Sequence, residues 1–190
     1  RAFASDILAA LISTDLPLRI FYHPAGHHGL IKDWLGENLN FTAQQGDGLG
    51  ERMYNAFCRT ADEGFENIIL VGSDIPDLGR EIIKSAFSAL QTHPAVIGPA
   101  HDGGYYLIGA GKSGIIRQAF TGIDWGTPRV FEKTLRRFRE KNMEPGIISE
   151  LRDIDTGEDL KALAEDICRN PEVSKHLKYT RAALKDLKMI

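Results

Sequence analysis

Long apolar runs, cysteines and a surplus of basic charge are scarce in this 190-residue sequence, and each scarcity excludes something. The longest aliphatic run, Ile68 to Val71, falls far short of the ~20 apolar residues a membrane span needs. A transmembrane helix is therefore not expected. The two cysteines, Cys58 and Cys168, stand alone in separate helix-like stretches. They provide neither a disulfide framework nor a zinc knuckle and point to a reducing, cytoplasmic setting. Lys and Arg number 23 against 26 Asp and Glu, a net charge of -3, and no dense basic stripe is present. Nucleic acid, whose phosphates call for clustered cations, is thus not the expected partner. The sequence also opens without an initiator Met or a signal peptide, and the expectation is that native residues precede Arg1.

The hydrophobic share of 43% and charged share of 26% are those of an ordinary globular chain with one main core. Short β-rich runs alternate with longer amphipathic ones. The pattern predicts strands at Leu18 to Tyr22, Leu39 to Ala43, Asn67 to Val71, Ala95 to Pro99, Tyr105 to Ala110 and Pro145 to Ser149. Helices are predicted at Leu49 to Glu63, Gly79 to Leu90, Pro128 to Asn142, Glu158 to Cys168 and Pro171 to Lys188. Such alternation implies parallel strands joined by right-handed crossovers, a three-layer α/β/α class with a mostly parallel sheet. The main domain is expected over 1–166, with 167–190 a C-terminal helical extension whose packing partner, its own sheet or a second subunit, stays open.

In such sheets ligands bind beyond the carboxyl ends of the strands, so the residues that follow each strand carry the expected chemistry. Gln45, Gly46, Gly48, Gly50 and Arg52 form a glycine-dense turn that opens straight into a helix. Backbone can approach an anionic or flat group there, beside a helix N-terminus. The spacing is G-x-G-x-G and not the dinucleotide fingerprint G-x-G-x-x-G, although Asp74 follows about one unit later and keeps a dehydrogenase alternative in view. Ser73 and Asp74 sit at the mouth of the next strand, where a carboxylate is a candidate ligand for Mg²⁺ or Mn²⁺. Asp77, just ahead of a helix, is assigned to the helix dipole.

His101-Asp102-Gly103-Gly104-Tyr105 joins an acid to two glycines and an aromatic ring. Asp102 can orient or deprotonate a hydroxyl while Gly103 and Gly104 leave room for a substrate; a plain Asp-Gly hairpin turn is the competing reading. His23, His27 and His28 in a Pro-Gly segment are read as solvated in preference to a metal cluster. Thr127 and Pro128 have the grammar of a helix start, which leaves Arg129 free for a phosphate. Thr156 and Asp159 read as a capping box. Asp153 and Asp155 are not explained by it, and they are expected to point to opposite sides, so that at most one faces a site shared with Asp74. Lys112-Ser113 is no phosphate loop, because Leu107 stands where the upstream glycine would be.

Five pieces fall in one order between about Phe3 and Leu163: G-x-x-L-G-E-R-M at 46 to 53, G-S-D-x-P-D at 72 to 77, G-P-A-x-D-G-G-Y-Y-L-I-G at 98 to 109, W-x-T-P-R-V at 125 to 130, and D-I-D-T-x-E-D-L at 153 to 160. Together they resemble a bacterial and archaeal family of glycosyltransferase-like proteins of uncharacterised function, some linked to radical-SAM and selenium-related domains. The resemblance implies the nucleotide-diphospho-sugar transferase fold, the glycosyltransferase A type shared with molybdenum-cofactor and phospholactate guanylyltransferases. By that likeness Asp74 holds the metal on the nucleotide phosphates and Asp155 is the second metal-side residue. The Gln45 to Arg52 turn lies near the base, and Asp102, Gly103, Gly104 and Tyr105 lie on the acceptor side. Members normally open with a strand and a Gly-Lys-Thr-Arg-type loop, which this sequence lacks; residues 1 to 13 resemble the helix that follows that loop. Gly79 and Gly157 also stand where Thr-Pro or Pro is usual.

These observations lead to the expectation of a metal-dependent transferase that takes a nucleotide or nucleotide-sugar donor and a small-molecule acceptor. For glycosyl transfer Asp102 is the expected base. For nucleotidyl transfer Arg52 or Arg129 would hold the pyrophosphate. A binding or scaffold domain that has lost turnover is the alternative from another class.

Overall fold

The computed structural model describes residues 1–170 and 172–190, with Val173 described by its backbone alone. Along the chain run α1 (Ala2–Ile12), β1 (Arg19–Tyr22), α2 (His28–Leu35), β2 (Asn40–Ala43), α3 (Leu49–Asp62), β3 (Asn67–Val71) and α4 (Arg80–Ala89). Then follow β4 (Ala95–Pro99), β5 (Tyr105–Gly111), α5 (Val130–Arg139), β6 (Gly146–Ile147), α6 (Gly157–Arg169) and α7 (Lys178–Asp186). The strands stand where the hydrophobic pattern places them, β6 being shorter. The helix expected from Pro171 to Lys188 is a 3₁₀ turn at Val173–His176 followed by α7, and Pro171 itself lies outside the described residues. α2 follows directly on the Pro-Gly segment of His23 to His28 and was not among the helices named above; its Leu30, Ile31, Trp34 and Leu35 keep a helical spacing.

The class is three-layer α/β/α with a mostly parallel sheet. Side chains of neighbouring strand residues separate into two cores, as the strand period of two requires. Val96 and Leu107 pack with α4 on one face, and Ile97 and Ile108 pack with α3 and α5 on the other. The four-stranded sheet has the order β3-β5-β4-β6. β6 runs parallel to β4, but β5 is antiparallel to both β3 and β4. Parallel crossovers had been expected throughout. The turn at Asp102-Gly103 reverses the chain between β4 and β5, too short a connection for a parallel crossover, so the hairpin reading of that dipeptide is realised.

β1 and β2 form a separate two-stranded parallel sheet that shares no ladder with β3. The gap between β1 and β3 is flanked by α1 and by α3, and it opens into a cleft of about 800 Å³. Ile68 to Val71 are accordingly only half-buried, whereas Ala95 to Ile97 are wholly enclosed. An ion pair ties β1 to α3: the guanidinium of Arg19 lies 2.6 Å from Glu63 at the end of α3. It raises the Arg19 pKa and lowers that of Glu63.

A third, smaller core joins α1, α6 and α7 through Leu163, Ile167, Leu177 and Leu184, with Phe3 and Ile154 against it. α7 begins after Leu177, whose side chain offers no cap. Asp6, buried in α1, takes that role from a distance, accepting hydrogen bonds from the N–H groups of Tyr179 and Thr180 at 2.8 Å each. These are the second and third amides of the helix, the ones a capping side chain satisfies.

Candidate active site

The cleft has an apolar depth and a polar mouth. Its depth is the gap between β1 and β3, walled by Ile7, Leu8 and Leu11 of α1 and by Met53 and Ala56 of α3. Its mouth lies at the carboxyl ends of β3 and β4, where Ser73, Asp74, Asp102, Gly104, Tyr105 and Asp155 line it together with Arg52, Trp125, Thr127 and Asp153. Seven of the residues singled out from the sequence thus meet in one place: Arg52, Ser73, Asp74, Asp102, Gly104, Tyr105 and Asp155.

Asp153 and Asp155 both belong to this mouth, contrary to the expectation that only one would. Residues i and i+2 of an extended segment share a side, and Ile154 between them turns the other way into the α1-α6-α7 core. The capping box starts α6 directly afterwards: the Thr156 hydroxyl accepts from the Asp159 N–H at 3.1 Å, and the Asp159 carboxylate accepts from the Thr156 N–H at 2.9 Å. Two fixed points, a half-buried Ile154 packed on that core and a capped helix, therefore set the direction of the two acids.

Asp102 arrives from the hairpin. Its Oδ1 accepts from the Gly104 N–H at 2.7 Å, which pins the carboxylate over its own turn. Gly103 has φ +84, and a Cβ there would meet the Pro128 carbonyl oxygen at 2.2 Å. That glycine is required because the hairpin tip packs against the 125–129 loop, not because a substrate needs the space. The Phe131 N–H donates to the Gly103 carbonyl at 2.9 Å and secures the same contact.

Carboxylate oxygens of Asp102, Asp153 and Asp155 all lie within 4.8 Å of one another. The Asp155 carboxyl is pushed above the usual carboxylate range, first by partial burial and then by the negative charges of Asp153, Asp74 and Asp102. None of these four acids forms an ion pair with a described residue. Unneutralised hard oxygen donors at this separation suit Mg²⁺ or Mn²⁺. The histidines do not make a comparable group. His23, His27 and His28 are exposed, and His28 Nδ1 is 2.9 Å from the Tyr22 hydroxyl.

Other sequence candidates stand apart. Arg129 lines a shallow groove on the outer side of α5 and lies 3.4 Å from Asp124. It is also the N-cap residue of α5, displacing Thr127, whose hydroxyl donates to the Asp124 carbonyl. Gln45, Gly46 and Gly48 form the turn before α3 and Gly50 is the second residue of that helix, none of them lining the cleft; the Gln45 carbonyl accepts from the Asn55 side chain at 2.9 Å. Gly50 has another task. A Cβ on it would lie 2.3 Å from the Phe120 carbonyl oxygen and 2.9 Å from the Trp125 ring, so α3 can pass the indole only without a side chain here. Asp77 is 3.7 Å from His176 Nε2. The residues that sequence reasoning passed over are Asp153 and Trp125, the first excluded by its spacing and the second treated only as part of a helix start.

A family of bacterial proteins described as uncharacterized (DUF2064) matches residues 7–127. The chain belongs to that family. The crystal structure of a putative nucleotide-diphospho-sugar transferase from Desulfovibrio desulfuricans G20 superposes with a TM-score of 0.90 at 35% sequence identity, covering 99% of this chain and 81% of that one. No curated protein matches. The fold of this family member is therefore that of the nucleotide-diphospho-sugar transferases. No helix among the described residues is long and apolar enough to cross a membrane.

Proposed function

We propose that this protein is a metal-dependent glycosyltransferase that takes a nucleotide-sugar donor and a small-molecule acceptor. The observation that carries the reading is the convergence of Asp74, Asp102, Asp153 and Asp155 on the mouth of one cleft without a neutralising partner. The likeness to a nucleotide-diphospho-sugar transferase supports it.

In this reading Asp155 would hold Mg²⁺ or Mn²⁺ with Asp153 as the donor beside it, and Asp74, which lines the same mouth and whose charge reaches Asp155, would complete the set. A divalent cation in that position supplies neutralisation of the negative charge gathering on the departing diphosphate. The protein's own groups do the rest. Arg52, whose Nε is buried without a hydrogen-bond partner, is placed to meet the donor's anionic part. Asp102, fixed by the Gly104 amide, keeps its other oxygen for the acceptor hydroxyl. As the acceptor oxygen bonds to the sugar carbon, the bond from that carbon to the diphosphate breaks, the hydroxyl proton passes to Asp102, and the nucleoside diphosphate leaves.

Thermal melting with nucleoside diphosphates and nucleotide-sugars, with and without Mn²⁺, tests the reading. A ligand at 100 times its Kd stabilises by about 2.7 kcal/mol, which for a chain of this size raises Tm by roughly 5 to 10 °C. The expected result is a Mn²⁺-dependent rise that Asp74→Ala abolishes, together with release of free nucleoside diphosphate from one nucleotide-sugar. No rise with any nucleotide, with or without metal, refutes it.

A further inference from the structure

On the acceptor side of the cleft, one wall is an indole. Trp125 lines the cleft beside Asp102, Gly104 and Thr127. Its ring is braced rather than free. Tyr105 meets it edge-on with centroids 6.1 Å apart, and Gly50 brings the first turn of α3 so close that a methyl group would collide with the indole at 2.9 Å. A glycine inside a helix costs about 1 kcal/mol relative to Ala, so the close approach is kept at the expense of local helix stability. A rigid aromatic surface needing no ordering on binding is a preorganised platform.

The charge around it narrows what it can take. The described basic residues that line the cleft are Arg19, His23 and Arg52, contributed by the β1 segment and α3. Of the cations within eight positions of Trp125, Arg129 and Lys133 are both engaged by Asp124 and face the groove outside α5, and the Arg117 guanidinium lies over the Tyr54 ring. Arg52 leaves α3 two residues after Gly50, about 200° around the helix from the side that meets the indole, whereas Asp102, Asp153 and the Thr127 hydroxyl share the mouth with Trp125 and bind hydroxyl groups, the carboxylates repelling anions. From this we infer that Trp125 is the acceptor platform and that the acceptor is an uncharged, hydroxyl-bearing saturated ring whose C–H face lies on the indole. The inference rests on the glycosyltransferase reading and deepens it by naming the acceptor class.

Trp34 is the other tryptophan of the chain, so a Trp34→Phe variant reports on Trp125 alone. Its emission is followed during titration with methyl glucoside, methyl mannoside and methyl galactoside in pyranose form, with glucose 6-phosphate as the charged ring and sorbitol as the ring-less polyol. The expected result is a saturable emission change with at least one methyl pyranoside, at least tenfold weaker binding of glucose 6-phosphate, and no saturable response to sorbitol. In the same background Gly50→Ala, which displaces the ring, weakens the pyranoside response at least tenfold. Equal or tighter binding of the phosphorylated sugar overturns the inference. So does an emission change driven by uridine or guanosine diphosphate with the pyranosides silent, which would make Trp125 a base platform. Silence with every sugar while the Mn²⁺-dependent melting shift persists also overturns it and leaves the proposed function standing. Silence together with loss of that shift refutes both.

Discussion

Replacing Asp6 by Ala removes the acceptor of two hydrogen bonds that hold α7 to α1, and the structure allows its cost to be estimated. Both bonds are 2.8 Å long, the carboxylate is only 2% exposed, and both donors are N-terminal amides of a helix. Loss of an N-cap costs about 1 kcal/mol and up to about 2 in proteins. Burial of the two orphaned amides and the charged character of the bonds add to this, giving an expected loss of about 2 to 4 kcal/mol. At about 2 to 4 °C per kcal/mol for a chain of this length, Tm falls by roughly 4 to 16 °C. Asp6→Asn keeps one acceptor oxygen and is expected to lose about half as much. Urea unfolding and thermal melting measure the loss, and amide exchange along α7 locates it. The effect reaches the site as well, because Ile154 packs into the core that α7 completes and sets the direction of Asp153 and Asp155. A weaker Mn²⁺ response is therefore expected in Asp6→Ala under conditions where it is still folded. Destabilisation below about 0.5 kcal/mol, the range of an inert surface substitution, would refute the reasoning.

Other perturbations probe the site more directly. Because crowding by burial and by neighbouring acids makes native Asp155 hold its proton more tightly than the unfolded chain does, stability falls as pH rises through the window above the ordinary carboxylate range. Asp155→Asn is thus expected to raise Tm by about a degree at pH 7, to lose that advantage in acid, and to abolish the Mn²⁺ response; an unchanged pH profile counts against the cluster. Gly103→Ala forces a side chain into the left-handed region and against the Pro128 carbonyl, and a loss of about 2 to 3 kcal/mol in urea unfolding is expected. A smaller loss than 1 kcal/mol would mean that the hairpin and the 125–129 loop are not held as tightly as described. In β3, the ladder with β5 uses alternate residues, so the amides of Ile68 and Leu70 are expected to resist exchange while those of Ile69 and Val71, turned toward the gap, exchange fast. Equal protection of all four would show that the gap is closed in solution.

What could be read from the sequence was local. Continuous apolar runs located β3, β4 and β5, and the Thr156/Asp159 signature located the capping box of α6, whose first residue, Gly157, lies one before the expected Glu158. The antiparallel course of β5 was less legible, since a central apolar run looks alike in either direction and only the two-residue Asp102-Gly103 signal distinguishes them. The separation of β1 from β3 lies beyond any local signal: the pattern shows that each is a strand but not that no ladder joins them. At the site, Asp74 and Asp102 followed from their places after strands. Asp153 could have been found by applying the strand period, which puts it on the side of Asp155. Trp125 had no such signal, because its role depends on Gly50, 75 positions earlier in the chain.

The gap between β1 and β3 also governs how the acids at its end feel one another. Solvent reaching the half-exposed edge of β3 screens Asp74 and Asp155 from below, and in water-like surroundings two unit charges 4 Å apart repel by only about 1 kcal/mol. Anything apolar that occupied the gap would lower the local dielectric and multiply that repulsion several-fold. The same carboxylates would then be harder to keep ionised when bare and more strongly drawn to a divalent cation. Filling the interior of this molecule, far from any substrate, would therefore act as an adjustment of its metal affinity.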